Sequence, residues 1–184
     1  MFKEWDKFRG WTVLGYFLSR PDSRMHIRGV AKALGVSPRT AEHYCKYYAS
    51  EGVLEAEKVA NSTQFGLVNG DFLVQSLKAA SSLSLLRQSG FPRKFAKSNS
   101  AVSLALYGSH ASGRYSEKSD VDLLCISGRK ELDQTLLREV EALFSAQVGL
   151  TVYSLGEWRK LKLSSDSFYN SVKASHVLLW GAEL

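Results

Sequence analysis

The chain has 184 residues, of which 45% are hydrophobic, and a net charge of +6. This length suits one ordinary domain or two small ones, and the apolar content argues against global disorder. The positive charge favours polyanionic partners only weakly. No apolar stretch approaches the roughly 18 residues of a membrane span, and the N-terminus lacks a signal-peptide core. We therefore expect a cytoplasmic protein that has no membrane partner.

The two cysteines give information about the compartment. Cys45 and Cys125 lie in different predicted domains, each within an apolar pattern. We interpret them as buried thiols in a reducing compartment, rather than as a disulfide or a metal site.

The first seventy residues predict three helices followed by a hairpin. Apolar residues recur at helical spacing, and Ser37 followed by Pro38 is a strong helix-start signal. The predicted elements are a helix over Trp5 to Leu18, a helix containing Ile27 to Leu34, a helix from Ser37 to Gly52, and strands over Val53 to Val59 and Thr63 to Val68.

This order of elements resembles a winged helix-turn-helix, and Ile27 to Leu54 resembles the helix-turn-helix of transcription regulators. In that family the second helix of the pair enters the major groove of double-stranded DNA. The resemblance implies base or phosphate contacts from the solvent face of the third helix, namely Arg39, Thr40, His43 and Lys46. The alternative is an ordinary solvated helix face in a domain that mediates protein contacts.

A further amphipathic helix is predicted over Asp71 to Gln88, where it could cap the winged domain or form a dimer seam. A basic cluster, Arg93 to Lys97, then lies between two turn-forming segments. We place the domain boundary here, giving domains 1–90 and 91–184. The basic cluster either solubilises a linker or meets phosphate.

The most informative segment runs from Tyr107 to Leu124. An apolar run ends in Gly108-Ser109, and Asp120-Val121-Asp122 opens a second apolar run. Because side chains alternate along a strand, the two aspartates point the same way, roughly 6.5 Å apart. Two such carboxylates are best tolerated around a divalent cation, and oxygen ligation suits Mg²⁺ or Mn²⁺.

The Gly-Ser and Asp-x-Asp pattern resembles the DNA-polymerase-β-like nucleotidyltransferase superfamily, and in particular its minimal branch. The resemblance implies that Gly108 and Ser109 contact the phosphates of a nucleoside triphosphate. It also implies that Asp120 and Asp122 are catalytic residues that bind Mg²⁺ (or Mn²⁺). Family members transfer a nucleotide to a hydroxyl, and some minimal members modify a tyrosine of a toxin partner and act as antitoxins.

One expected residue is missing. Active family members carry a third acid on a following strand, and the candidate strand here is Gln147 to Tyr153. Its two positions facing the predicted site hold Gly149 and Thr151, neither of which is acidic. Glu157 lies beyond the strand and is a candidate to reach back. With two acids, a two-metal clamp would be weakened.

Helices are also predicted over Lys130 to Ala146 and Asp166 to Ala174. The ending, His176 to Leu184, resembles the short apolar close of many minimal nucleotidyltransferases.

The leading interpretation is an α/β (α+β) protein with an N-terminal winged helix. Its C-terminal domain would be a nucleotidyltransferase-fold mixed sheet with flanking helices. Its expected function is Mg²⁺-dependent transfer of a nucleotide from a triphosphate to a hydroxyl, with a protein partner as one possible acceptor. The alternative is a DNA-binding regulator whose second domain senses nucleotide or holds a partner, with little or no catalysis.

Overall fold

The computed structural model describes residues 8–129 and 131–184. The chain divides into two compact units, Met1–Lys78 and Ala79–Leu184, and the division falls within a long helix. The helices are α1 Arg9–Leu18, α2 Ile27–Leu34, α3 Pro38–Ser50, α4 Phe72–Ser89, α5 Phe91–Ser98, α6 Gly108–Ser112, α7 Leu137–Phe144, α8 Leu155–Leu163 and α9 Ser167–Ser175. The strands are β1 Met25–His26, β2 Leu54–Val59, β3 Ser62–Leu67, β4 Ala101–Tyr107, β5 Val121–Ser127, β6 Val148–Tyr153 and β7 Val177–Gly181.

The N-terminal unit packs helices against a small antiparallel sheet. Its strand order is β1-β3-β2, and its core includes the fully buried Phe17, Val30 and Cys45. The Ser37 hydroxyl accepts a hydrogen bond from the Thr40 amide at 3.0 Å, which caps α3 as its sequence predicts. The second and third predicted helices and the hairpin are present.

The first predicted helix is described only from Arg9, since residues 5–7 of the predicted span lie outside the described part of the chain. Among the described residues, no helix has the length and apolar character needed to cross a bilayer.

The C-terminal unit is built on a mixed sheet with the order β6-β5-β4-β7. Strand β4 is antiparallel to β5 and β7, whereas β5 and β6 are parallel. Alternate residues of β5 enter two different cores: Leu123 and Cys125 pack in one, and Leu124 and Ile126 in the other. The second core includes Trp158, which connects it to α8. The predicted mixed α/β class is therefore confirmed.

Two predicted spans differ from the structure. The basic cluster placed in a linker lies instead on α5, because Phe91 and Phe95 turn inward and are fully buried. Of the helix predicted over 130–146, residue 130 lies outside the described part of the chain, and in residues 131–146 the helix begins at Leu137. The reason is the fully buried Asn99, whose side chain bonds both the amide and the carbonyl of Asp133 and holds that backbone out of a helix.

Candidate functional site

A sharp turn at Gly108 brings the backbone against an acidic side chain. Gly108 has φ +70°, and a Cβ there would overlap the Asp122 Oδ2 oxygen. Antiparallel pairing of Tyr107 with Asp122 sets this approach. Only glycine meets both the conformational and the steric demand, so the structure explains why the Gly-Ser pattern begins with this residue.

The segment after Gly108 is a single short turn of helix held by its own serines. The Ser112 hydroxyl donates to the carbonyl oxygens of Gly108 and Ser109, at 3.1 and 3.3 Å. The Arg114 amide donates to the Ser109 carbonyl at 2.9 Å. Ser109 itself is only partly buried. A phosphate can therefore reach its side chain.

The two aspartates lie at the start of β5. Asp120 is exposed in the preceding turn, and Asp122 is partly buried as the second residue of the strand. Burial raises the pKa of Asp122, and the nearby Asp120 carboxylate raises this pKa further. Both effects penalise the ionised Asp122 carboxylate, and a bound cation relieves both.

This pair fits part of a magnesium site. Both potential ligands are carboxylates, which Mg²⁺ and Mn²⁺ prefer. Within residues 8–129 and 131–184, no group of three or more His, Cys, Asp or Glu side chains is placed to hold a metal. The remaining ligands of an octahedral Mg²⁺ would have to be water and substrate phosphate, as is usual for this ion.

The parallel register of β5 and β6 fixes which residue lies beside Asp122. Gly149 is the direct partner of Asp122, and a Cβ on it would lie 3.3 Å from the Asp122 Oδ1 oxygen. Thr151 is one step further along the same face, paired with Leu124. Its hydroxyl is already hydrogen-bonded to the Tyr107 hydroxyl at 3.1 Å. Gly149 is therefore the position from which a third acid would reach the pair.

The prediction that Glu157 could reach back to this site is wrong. Glu157 follows the opposite end of β6, where Tyr153 pairs with Ile126, about 13 Å along the sheet from the Asp122–Gly149 pair. Its carboxylate accepts from the Ser154 amide and hydroxyl, both at 2.7 Å, in a capping box that starts α8. These hydrogen bonds hold the pKa of Glu157 below its usual value.

Sequence reasoning missed a buried polar cluster behind the Gly108 turn. The His110 ring, on α6, stacks on Tyr115 with centroids 4.2 Å apart, and its Nδ1 lies 3.0 Å from the Ser82 hydroxyl. Phe144 meets the same ring edge-on. Burial raises the pKa of Tyr115 to about 12. This cluster anchors α6 from the core side; its members are far apart in the chain, so only the tertiary fold reveals it.

A separate set of predicted residues lies on α3 in the N-terminal unit. Arg39 and His43 are exposed, while Thr40 is partly buried and its hydroxyl lies 2.8 Å from that of Ser37. The Lys46 ammonium is exposed but pairs with Glu42 at 2.7 Å. The predicted side chains therefore share one helix, and one of their positive charges is partly neutralised.

Comparison with known proteins bears on the C-terminal unit. Residues 91–173 match the family model of the nucleotidyltransferase domain. The chain is also similar to the crystal structure of a proposed nucleotidyltransferase from Sulfolobus solfataricus, with 22% sequence identity and a TM-score of 0.34. That match covers 58% of this chain and 87% of the other. No curated protein matches. The resemblance to nucleotidyltransferases is confirmed for residues 91–173, and the winged helix stays a prediction.

We predict that Gly108→Ala lowers both the stability of the fold and the affinity of the site for a divalent cation. A side chain at φ +70° costs about 1–2 kcal/mol, and the overlap with Asp122 must also be relieved by moving the carboxylate. The free energy of unfolding, measured with urea, should fall by at least this amount, and Mn²⁺ affinity should fall with it. Gly128→Ala is the matched control, since a Cβ there meets nothing within 4 Å. Equal stability of the two variants would contradict this account.

Proposed function

We propose that the C-terminal unit binds a nucleoside triphosphate with Mg²⁺ or Mn²⁺ and transfers a nucleotide to a hydroxyl group. The observation that carries the proposal is the approach of the Gly108 turn to Asp122 at one end of the sheet. This arrangement lies within the residues that match the nucleotidyltransferase domain. A phosphate-binding turn and a carboxylate pair at the same place are what transfer from a triphosphate requires.

Each residue has a proposed role. Asp120 and Asp122 would hold the divalent ion, and Ser109 with the amides that follow Gly108 would position the phosphates. The ion supplies charge neutralisation to the phosphate oxygens. In the transfer, the acceptor oxygen bonds to the α-phosphorus as diphosphate leaves, and the acceptor proton must pass to a base or to water.

The proposed catalysis is slow because the position beside Asp122 offers no carboxylate to accept that proton. Gly149 is the position beside Asp122, and it has no side chain. General-base help is typically worth about 10²–10⁴ in rate. We therefore propose binding of nucleotide with slow turnover, rather than efficient transfer.

The acceptor we propose is a hydroxyl on a protein partner. The support is the resemblance of residues 107–124 to minimal nucleotidyltransferases, some of which modify a tyrosine of a toxin. Incubation of the protein with Mg²⁺ and each labelled triphosphate, with and without the product of the neighbouring gene, tests this directly. Label on the partner supports it, and label on neither protein contradicts it.

A second candidate function is a DNA-binding regulator with a nucleotide-sensing or partner-binding C-terminal unit. The observation that favours it is the exposed position of Arg39 and His43 on α3. The glycine at position 149 also favours it, since sensing needs binding without turnover. The two candidates share nucleotide binding and differ in whether product forms and whether DNA is bound.

The first prediction of this proposal concerns the metal. Asp120→Asn and Asp122→Asn should each weaken Mn²⁺ binding by about tenfold or more, because each removes one of two carboxylate ligands. Isothermal titration calorimetry measures the affinity. Asp133→Asn is the control, since Asp133 is also an exposed aspartate of this unit but bonds Thr135 instead. Wild-type affinity in both site variants would remove the metal assignment.

The second prediction concerns the missing acid. Gly149→Asp should raise the rate of label transfer, by up to about 10²-fold, because it places a carboxylate beside Asp122. Thr151→Asp should raise it less, since that position pairs with Leu124 and faces the Tyr107 hydroxyl. Transfer rates under saturating triphosphate compare the two. A larger gain in rate from Thr151→Asp would show that the acceptor hydroxyl lies nearer Thr151 than Gly149, contrary to this prediction.

The third prediction concerns α3. Arg39→Ala should lower the slope of log affinity against log salt by about 0.9 if Arg39 contacts one DNA phosphate. Lys46→Ala should also weaken binding. Glu42→Gln should strengthen it, because this change releases the Lys46 ammonium from its ion pair. Fluorescence anisotropy with a labelled duplex measures these effects in the full chain. Absence of binding at low salt would remove the regulator function.

A further inference from the structure

Strand β7 forms one edge of the C-terminal sheet. It pairs with β4 over Ser103–Leu106, and no strand among the described residues pairs with its other side. An edge strand presents unpaired backbone N–H and C=O groups, which are a template for adding another strand. Charges and prolines protect many edge strands, and β7, with the sequence Val-Leu-Leu-Trp-Gly, carries neither. It is a short strand of five residues, and its pairing with β4 shifts register between Leu104 and Ala105.

A groove of about 380 Å³ lies beside this edge. One wall is Val177–Trp180, whose side chains are all only partly buried. The other wall comes from the end of α4, with Leu83 and Arg87, and from the start of α5, with Pro92 and Arg93. The groove therefore combines an open strand edge with a mainly apolar surface next to it.

The charge of the groove restricts what can occupy it. Both charged residues of its lining, Arg87 and Arg93, are arginines, and none of its described lining residues is a carboxylate. Edge-to-edge pairing of two copies of this chain would bring like-charged arginines together, which costs free energy. An acidic occupant would instead meet opposite charge on the wall formed by α4 and α5.

We propose that this groove binds an extended acidic segment of a partner protein, which adds to β7 as a further strand. Backbone hydrogen bonds to β7 provide the affinity, and side chains that alternate along the segment provide the specificity. The apolar side chains on one face of the bound segment pack on Leu83 and Val177–Trp180. Carboxylates at the rim pair with Arg93, which is exposed at the start of α5. The proposal does not depend on nucleotide transfer, since none of these residues belongs to the Gly108–Asp122 site.

The test uses the full chain and a labelled peptide of alternating valine and glutamate, with a valine–glutamine peptide for comparison. The acidic peptide should bind more tightly, and anisotropy measures both affinities. Arg93→Glu should weaken acidic-peptide binding by about tenfold, since attraction is replaced by repulsion. Lys97→Glu is the matched control: it makes the same change of charge on the same helix at an exposed position outside the groove lining.

A second measurement locates the peptide. Trp180 lines the groove, so the peptide should change tryptophan fluorescence, and Trp180→Phe should abolish this change while the anisotropy signal remains. Equal binding of the acidic and neutral peptides would overturn the charge argument. Equal weakening by Arg93→Glu and Lys97→Glu would show non-specific attraction and also overturn the proposal. A wild-type protein that forms dimers disrupted by the peptide would show that a second copy occupies the edge, contrary to our proposal.

Discussion

The candidate site depends on one pairing, that of Tyr107 on β4 with Asp122 on β5. Antiparallel pairing at this position places the backbone after Tyr107 directly against the Asp122 carboxylate. Gly108 then has to adopt φ +70° and has to lack a Cβ. The Gly108 turn and the strand that carries Asp122 are thus packed directly against each other. A shift of one residue in this register would turn Asp122 to the opposite face of the sheet.

The parallel pairing of β5 with β6 determines which residue lies beside Asp122. Gly149 lies beside Asp122, whereas Thr151 is used by the Tyr107 hydroxyl. That hydrogen bond crosses from β4 to β6 over the intervening strand. Phe168 lies edge-on to the Tyr107 ring, with centroids 5.6 Å apart. Tyr107 and Phe168 both pack against the apolar cluster that includes Leu124 and Trp158.

The sequence was sufficient where the signal is local, and insufficient where it depends on distant contacts. The Ser37 cap and the turn at Gly108 follow from neighbouring residues, whereas Asp120 lies just before β5 and its predicted shared face with Asp122 stays a prediction. The α5 segment looked like a linker, because nothing local reveals that Phe91 and Phe95 enter the core. The late start of α7 depends on Asn99, which is distant in the chain. The position of Glu157 depends on the direction of β6, which ends far from Asp122. The Lys46–Glu42 pair was locally readable from its i,i+4 spacing, yet was overlooked.

The proposed binding of a cation and a triphosphate and the proposed nucleotide transfer place different demands on the charged groups of the site. Asp120 raises the pKa of a carboxyl group that burial has already raised, so the pair is least favourable when empty and gains most from a cation. A triphosphate brings further negative charge, which the same cation can neutralise, and both interactions need only two carboxylates. Proton removal from an acceptor needs another base, and the glycine at position 149 leaves that place open. The residues at this site therefore meet the requirements of the proposed nucleotide binding more fully than those of the proposed transfer.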